Sequence, residues 1–320
     1  MEKLMLIINP ISGTHSKQGL AQRIERELKR RGFDVDIRLT QCRGDATRLA
    51  GEAVKEGFDG VLACGGDGTV NETARALCGT GVALGIIPAG SGNGLARHIS
   101  IPIDPMLSLD VIAERHVVDC DYGSVNGREF FCTFGVGFDA AVSDRFAAGG
   151  KRGKMSYVKS AIHEFNHYQH QRYTLEVDGK EITDDAFLIA VCNASQYGNN
   201  AYIAPDASIA DGLLDIIVIK KASRVRTLLV GIDLLGGTIT NNRLIETMKV
   251  RNAVIHRHLE GPAHLDGEPF TVGRDIDIQC HPGQLKIFTT TSKTRFKPLI
   301  TPVESMLNDM SITLRNLLAT

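Results

Sequence analysis

The sequence predicts an α/β N-terminal domain on an open, mostly parallel sheet, followed by a mainly antiparallel, β-sandwich-like C-terminal domain. Three observations carry this reading. Apolar strand-like runs alternate with helix-period segments over the first third of the chain, the pattern of a parallel sheet covered on both faces. Beyond Ala113 that alternation gives way to strand-like runs joined by Asn126-Gly127 and Asp178-Gly179, the preferred two-residue hairpin turns. Three polar, glycine-bearing loops (9–14, 65–69 and 90–94) each follow an apolar run, where open parallel sheets bind ligands.

Taken in order, Leu4 to Ile8 reads as a buried strand closed by Asn9-Pro10-Ile11-Ser12-Gly13. A helix is expected from about Ser16 to Arg30 (Leu20, Ile24 and Leu28 at helical spacing), stopped by Gly32. Phe33 to Thr40 alternates as a strand, and Gly44-Asp45-Ala46-Thr47 opens a helix running to Lys55. Phe58 to Cys64 is the third strand, followed by the glycine loop and a helix to Cys78. Val82 to Ile87 is the fourth, ending in Pro88-Ala89-Gly90-Ser91-Gly92-Asn93-Gly94, and Pro105 to Ala113 is a short helix.

In the second half, Val117–Val125 and Arg128–Val136 form one expected hairpin, and Tyr173–Val177 with a return near Phe187–Cys192 another. Leu213–Ile219, Lys249–His256, Asp275–Cys280 and Leu285–Phe288 supply further strands, with helices near 154–170 and 223–236. Val303 to Leu318 has the spacing of an amphipathic helix (Met306, Leu307, Met310, Leu314, Leu317).

Composition narrows the function classes. The 320 residues carry a formal net charge of −1, without the basic excess of a general nucleic-acid binder. No run approaches the ~18 apolar residues of a membrane span, so any membrane contact is expected to be peripheral. The seven cysteines are scattered, with no Cys-x-x-Cys pair, and read as reduced thiols of a cytoplasmic protein.

The stretch Val61-Leu62-Ala63-Cys64-Gly65-Gly66-Asp67-Gly68-Thr69-Val70-Asn71-Glu72 concentrates the chemistry. A strand ending in glycines that feeds a helix aims backbone N–H groups and the positive helix end at one spot, which suits a phosphate. Asp67 would repel that anion unless a metal, a ribose or a transferring proton needs a carboxylate there. Thr69 and Glu72 also have the spacing of a capping box. No Gly-Lys-Ser/Thr follows, so this is not a Walker loop.

Gly-Gly-Asp-Gly-Thr-Val-Asn-Glu at 65–72 resembles the nucleotide loop of the diacylglycerol kinase and sphingosine kinase superfamily, in its soluble bacterial lipid-kinase branch. The shorter Gly-Gly-Asp-Gly is shared with NAD kinases and phosphofructokinases, whose fold the first domain is expected to share. Asn-Pro-x-Ser-Gly at 9–13 and Pro-x-Gly-Ser-x-Asn-x-x-Ala-Arg at 88–97 match the same family. The resemblance implies that ATP is held by Asn9, Ser12, Gly13, Thr40, Gly65, Gly66, Asp67, Gly68, Thr69, Asn71, Glu72, Gly90, Ser91 and Asn93, with Mg²⁺ bridging the phosphates near Asp67. Position 14 is Thr where some bacterial relatives carry lysine, and 90–94 is closer to the sphingosine kinase wording. The tail is implied to return to the first domain, giving 1–120 plus 291–320 as the nucleotide domain and 121–290 as the lipid domain. A homodimer is a further expectation.

Asp266-Gly267-Glu268 reads unaided as a hairpin turn. In the family the matching glutamate is the proton acceptor, which makes Glu268 the candidate base and Asp266 its support, with Asp67 the third catalytic candidate. Pro205-x-Ala207 with Asp211-Gly212-Leu213 resembles the family's structural magnesium segment, implying Asp211, Ser208 and Leu213 as ligands. Asp139 is a candidate contact for a lipid head, and Lys151, Arg152, Lys154 and Lys159 for an anionic membrane surface. The expectation is an ATP-dependent lipid kinase acting on a diacylglycerol-like or sphingoid-base-like hydroxyl. Alternatives are an NAD kinase-like phosphotransferase, a zinc hydrolase on His163 and His167 (His-Glu-x-x-His spacing), or a non-catalytic nucleotide sensor.

Overall fold

The computed structural model describes residues 2–11, 19–149, 154–198, 201–236 and 242–290. Ser12, Gly13 and Thr14, Lys151 and Arg152, and the expected helix at 303–318 lie outside the described residues.

Strands and helices alternate first: β1 (Lys3–Ile8), α1 (Leu20–Arg30), β2 (Asp34–Leu39), α2 (Asp45–Lys55), β3 (Gly60–Gly65), α3 (Asp67–Leu77) and β4 (Ala83–Pro88). Short helices α4 (Gly94–His98) and α5 (Ser108–Ala113) follow. The strands pair in parallel in the order β4-β3-β1-β2. Every residue of β3 and β4 is buried because helices cover both faces. Met5, Ile7, Val61 and Ala63 pack with Leu49, Ala53 and Ala74 on one side; Leu4, Leu6 and Leu62 pack with Ile24, Leu28 and Ile112 on the other. This arrangement leaves the loops after β1, β3 and β4 at one edge, since all three strands run the same way.

The second part comprises β5 (Val117–Val125), β6 (Arg128–Phe130), β7 (Thr133–Gly137), α6 (Phe138–Ala148), α7 (Lys154–His167), β8 (Gln171–Val177), β9 (Lys180–Cys192) and β10 (Leu214–Lys220). It continues with α8 (Arg224–Gly236), β11 (Ile245–Val250), β12 (Asn252–Arg257), β13 (Gly261–Leu265), β14 (Glu268–Val272) and β15 (Asp275–Phe288). Pairing here is antiparallel and the sheet curls around one core, with Phe134, Tyr173, Ile189, Ile216, Ile255 and Ile278 facing inward. Three Asx-Gly turns carry left-handed pairs, φ 47°/76° at Asn126-Gly127, 51°/72° at Asp178-Gly179 and 50°/82° at Asp266-Gly267. That geometry suits the twist of a tight hairpin.

Several elements differ from expectation. The run 128–136 is two strands, because β7 leaves β5 to pair with β9 and β13. The run 249–256 breaks at Arg251 into the end of β11 and β12. Conversely, 275–288 is one strand with an irregularity between His281 and Leu285. The expected boundary at 120/121 falls inside β5. β5 and β15 run through both cores: Val118 and Ile287 pack in the first, Val125 and Ile278 in the second. Ile287 pairs with Leu84, which ties the curled sheet to the parallel one.

Candidate active site

The loops after β1, β2, β3 and β4 border a cleft of about 620 Å³, lined by Asn9, Thr40, Gly66, Asp67, Gly68, Thr69, Glu72, Gly90 and Ser91 and, from the other domain, Glu268. Its floor is the first turn of α3, where the N–H groups of Asp67, Gly68 and Thr69 have no preceding helical carbonyl to meet. Gly65 has no room for a Cβ, because the Thr69 side chain closes against it. Asn9 Nδ2 donates to Thr69 Oγ1 at 3.3 Å, joining the first loop to the second.

Asp67 joins the second loop to the third. Its Oδ2 accepts the Asn93 N–H at 2.9 Å and its Oδ1 the Gly94 N–H at 2.6 Å. Each oxygen keeps a further lone pair, so Asp67, which lines the cleft, fits a phosphate-bound Mg²⁺. Asn93 is spent on its own loop: Oδ1 accepts the Gly90 N–H at 3.2 Å and Nδ2 donates to Gly90 O at 3.0 Å. Glu72 does not complete a capping box, because α3 begins after Gly66 and Glu72 lies inside it. Its carboxylate instead accepts the N–H groups of Gly44 at 2.9 Å and Ala46 at 3.2 Å, anchoring the start of α2. Asn71 faces a neighbouring hollow of about 220 Å³ rather than the main cleft.

Glu268 opens β14 directly after the left-handed turn, and a Cβ on Gly68 would stand 3.7 Å from its Oε1. The proton-acceptor candidate therefore overhangs the phosphate turn. Asp266 holds the hairpin in place: its carboxylate accepts the N–H groups of Phe131, Cys132 and Thr133 at 2.9, 2.7 and 2.8 Å. Desolvation pushes the Asp266 carboxyl up to about 6; the three donors oppose that rise and the Asp67 charge adds to it. Arg43, from the loop after β2, forms an ion pair with Glu268 across the mouth of the cleft. It is the single cation among the described residues lining the cleft. Sequence reasoning missed it, although its place three residues after Thr40 puts it at the end of another parallel strand.

A buried chain behind the hairpin was also missed. His264 Nε2 meets Asp139 Oδ2 at 3.1 Å, and Tyr197 OH donates to the same oxygen at 2.8 Å. Asp139 is thus held in the core at the start of α6 rather than presented to a ligand. Gly135 leaves room for the pair, since a Cβ there would run into both Asp139 and His264. Gly135→Ala is expected to destabilise the protein by about 2–3 kcal/mol, read as a lower melting temperature, because neither partner is a free-swinging side chain.

Two groups near the domain junction give opposite acid responses. His98, hydrogen-bonded to Ser195 Oγ at 2.9 Å, is pushed down to about 4 by desolvation. Its contribution is present above the unfolded value near 6.5 and is lost as pH falls towards 4, because the unfolded chain takes up the proton first. Asp266 is raised, so it favours the fold below about 4 and loses that contribution as pH rises through 6. Each effect is about 3 kcal/mol. In urea titrations His98→Asn should gain stability relative to wild type as pH falls from 6 to 4, because the variant lacks the imidazole whose protonation disfavours the fold; parallel profiles would contradict this.

The remaining candidates are placed elsewhere. Asp211, Ser208 and Leu213 lie between β9 and β10, where Asp211 Oδ2 meets Lys249 Nζ at 2.8 Å and Oδ1 accepts the Leu213 N–H at 3.1 Å. His163 and His167 stack with ring centroids 4.3 Å apart, and His167 Nδ1 bonds the His163 carbonyl at 2.8 Å. Among the described residues, no group of three or more His, Cys, Asp and Glu side chains converges as a metal site. No described helix is long and apolar enough to cross a membrane.

Comparison with known proteins agrees with this fold. The family model for the diacylglycerol kinase catalytic domain matches residues 3–125, and that for the YegS C-terminal NAD kinase beta sandwich-like domain matches residues 132–289. A diacylglycerol kinase of Mycobacterium tuberculosis is 31% identical over 298 residues, spanning 89% of this chain and 94% of its own. In fold, a diacylglycerol kinase from Bacillus anthracis superposes with a TM-score of 0.73 at 23% identity, over 91% of this chain and 97% of that one. An NAD kinase from Archaeoglobus fulgidus, solved in complex with ATP, gives 0.51 at 15% identity, over 91% and 94%. The chain belongs to the family of diacylglycerol kinases and YegS-like lipid kinases.

Proposed function

We propose that this protein transfers the γ-phosphate of ATP to the hydroxyl of a diacylglycerol-like or sphingoid-base-like lipid, with Glu268 as general base. The observation that carries the reading is Glu268 standing over the Gly68 turn, in one cleft with the loops after β1, β3 and β4. The N–H groups at the start of α3 and the Gly90-Ser91 backbone would bind the phosphates, and Asn9 and Thr69 brace that surface. Bound Mg²⁺, faced by Asp67, would neutralise phosphate charge. Glu268 takes the proton from the lipid hydroxyl as the hydroxyl oxygen attacks the γ-phosphorus, and the bond from that phosphorus to the β,γ-bridging oxygen breaks to release ADP. Arg43, paired with Glu268 in the structure, is close enough to the cleft to turn towards the transferring group. The acceptor is drawn from a membrane surface that the protein visits from outside.

Incubation with [γ-³²P]ATP, Mg²⁺, NAD and a panel of lipids in mixed micelles tests this. Label in the organic layer is the expected result. Label confined to a soluble dinucleotide would favour the NAD kinase reading, and binding of ATP without transfer a nucleotide sensor.

A further inference from the structure

The segment that resembles the family's structural magnesium site holds a cation of its own. Lys249 Nζ lies 2.8 Å from Asp211 Oδ2 and 3.1 Å from Asp215 Oδ2. This placement is built into the sheet, because Lys249 of β11 stands directly opposite Asp215 of β10 in the antiparallel register. Asp215 is only 4% exposed in its side chain, whereas Asp211 and Lys249 are 31% and 39% exposed. A buried carboxylate requires a positive partner, and here the ammonium supplies it.

The turn is also braced by hydrogen bonds. Asp211 Oδ1 accepts the Leu213 N–H, and Gly212, at φ 74°, donates its N–H to Asp121 Oδ2 at 2.7 Å. Asp121 Oδ1 in turn accepts the Gly283 N–H at 2.8 Å, stitching the segment to the irregular stretch of β15. A magnesium ion demands about six oxygens in near-octahedral array at ~2.1 Å. An ammonium within hydrogen-bond distance of the same carboxylate repels such an ion.

We infer that Lys249 takes the place of a structural divalent cation in this chain, so that the second domain holds the 208–215 segment by an internal Asp211–Lys249–Asp215 ion triplet and needs no resident metal. This stands apart from any Mg²⁺ that arrives with a nucleotide, and it does not depend on the phosphotransfer reading.

The test uses the full chain, free of nucleotide, dialysed against EDTA and then supplied with MgCl₂. Wild type is expected to melt at the same temperature in both and to carry no stoichiometric magnesium by elemental analysis. Lys249→Met is expected to melt about 5 °C lower in EDTA and to recover with MgCl₂, because its two carboxylates are then left for the added ion. A wild-type melting temperature that falls in EDTA and returns with Mg²⁺, or one Mg²⁺ bound per nucleotide-free chain, would overturn the inference. So would a Lys249→Met protein as stable as wild type and indifferent to Mg²⁺. Should that variant not fold, the wild-type metal content and melting data still decide.

Discussion

Glu268→Gln is expected to lower lipid phosphorylation about 10²–10⁴-fold while leaving ATP affinity near the wild-type value. Glutamine keeps the size of the side chain and a carbonyl oxygen for Arg43, but it cannot accept the proton of the attacking hydroxyl. The hairpin stays in place because its anchor is the separate carboxylate of Asp266 on the N–H groups of 131–133. Initial rates on the preferred lipid, with ATP binding measured by titration on the same preparations, separate the two effects. An unchanged rate would move the proton to another acceptor.

Asp67→Asn should be nearly as costly. Asp67 accepts N–H groups with both oxygens, and an amide can offer only one acceptor to that pair. The NH₂ end would face a backbone N–H, the 90–94 loop would lose one of its anchors, and the charge facing a phosphate-bound Mg²⁺ would vanish. About 100-fold in kcat/KM for ATP is expected, split between weaker binding and slower transfer. The effect should appear at saturating lipid, together with a lower melting temperature from the lost loop anchor. A variant with wild-type kcat/KM would show that neither the loop anchor nor the charge matters to catalysis.

Much of this was legible in the residues. The run of apolar strands and glycine loops marks the parallel sheet, and three Asx-Gly pairs mark hairpins whose φ values are as the turn type requires. The convergence of 65–69 with 90–91 followed from strand direction alone. The joining of Asp266-Gly267-Glu268 to that edge did not, since contact between distant segments has no local signature; it came from the family likeness. α6 escaped because its buried face is Asp139, Ala140, Val142 and Ser143, half of it polar, so no apolar stripe shows in the sequence. Arg43 escaped because an exposed loop arginine has no pattern around it. The Asp211 metal reading rested on likeness of a short segment, and its cation partner Lys249 arrives from a strand 38 residues later.

A crystal structure with Mg²⁺ and a non-hydrolysable ATP analogue would examine the whole arrangement at once. The phosphates are expected on the first turn of α3 and the Gly90-Ser91 backbone, with the γ-phosphate facing Glu268 across a gap wide enough for a hydroxyl oxygen, about 3–3.5 Å from phosphorus. Phosphates bound elsewhere, or Glu268 turned out of the cleft with another carboxylate beside the γ-phosphate, would contradict the account.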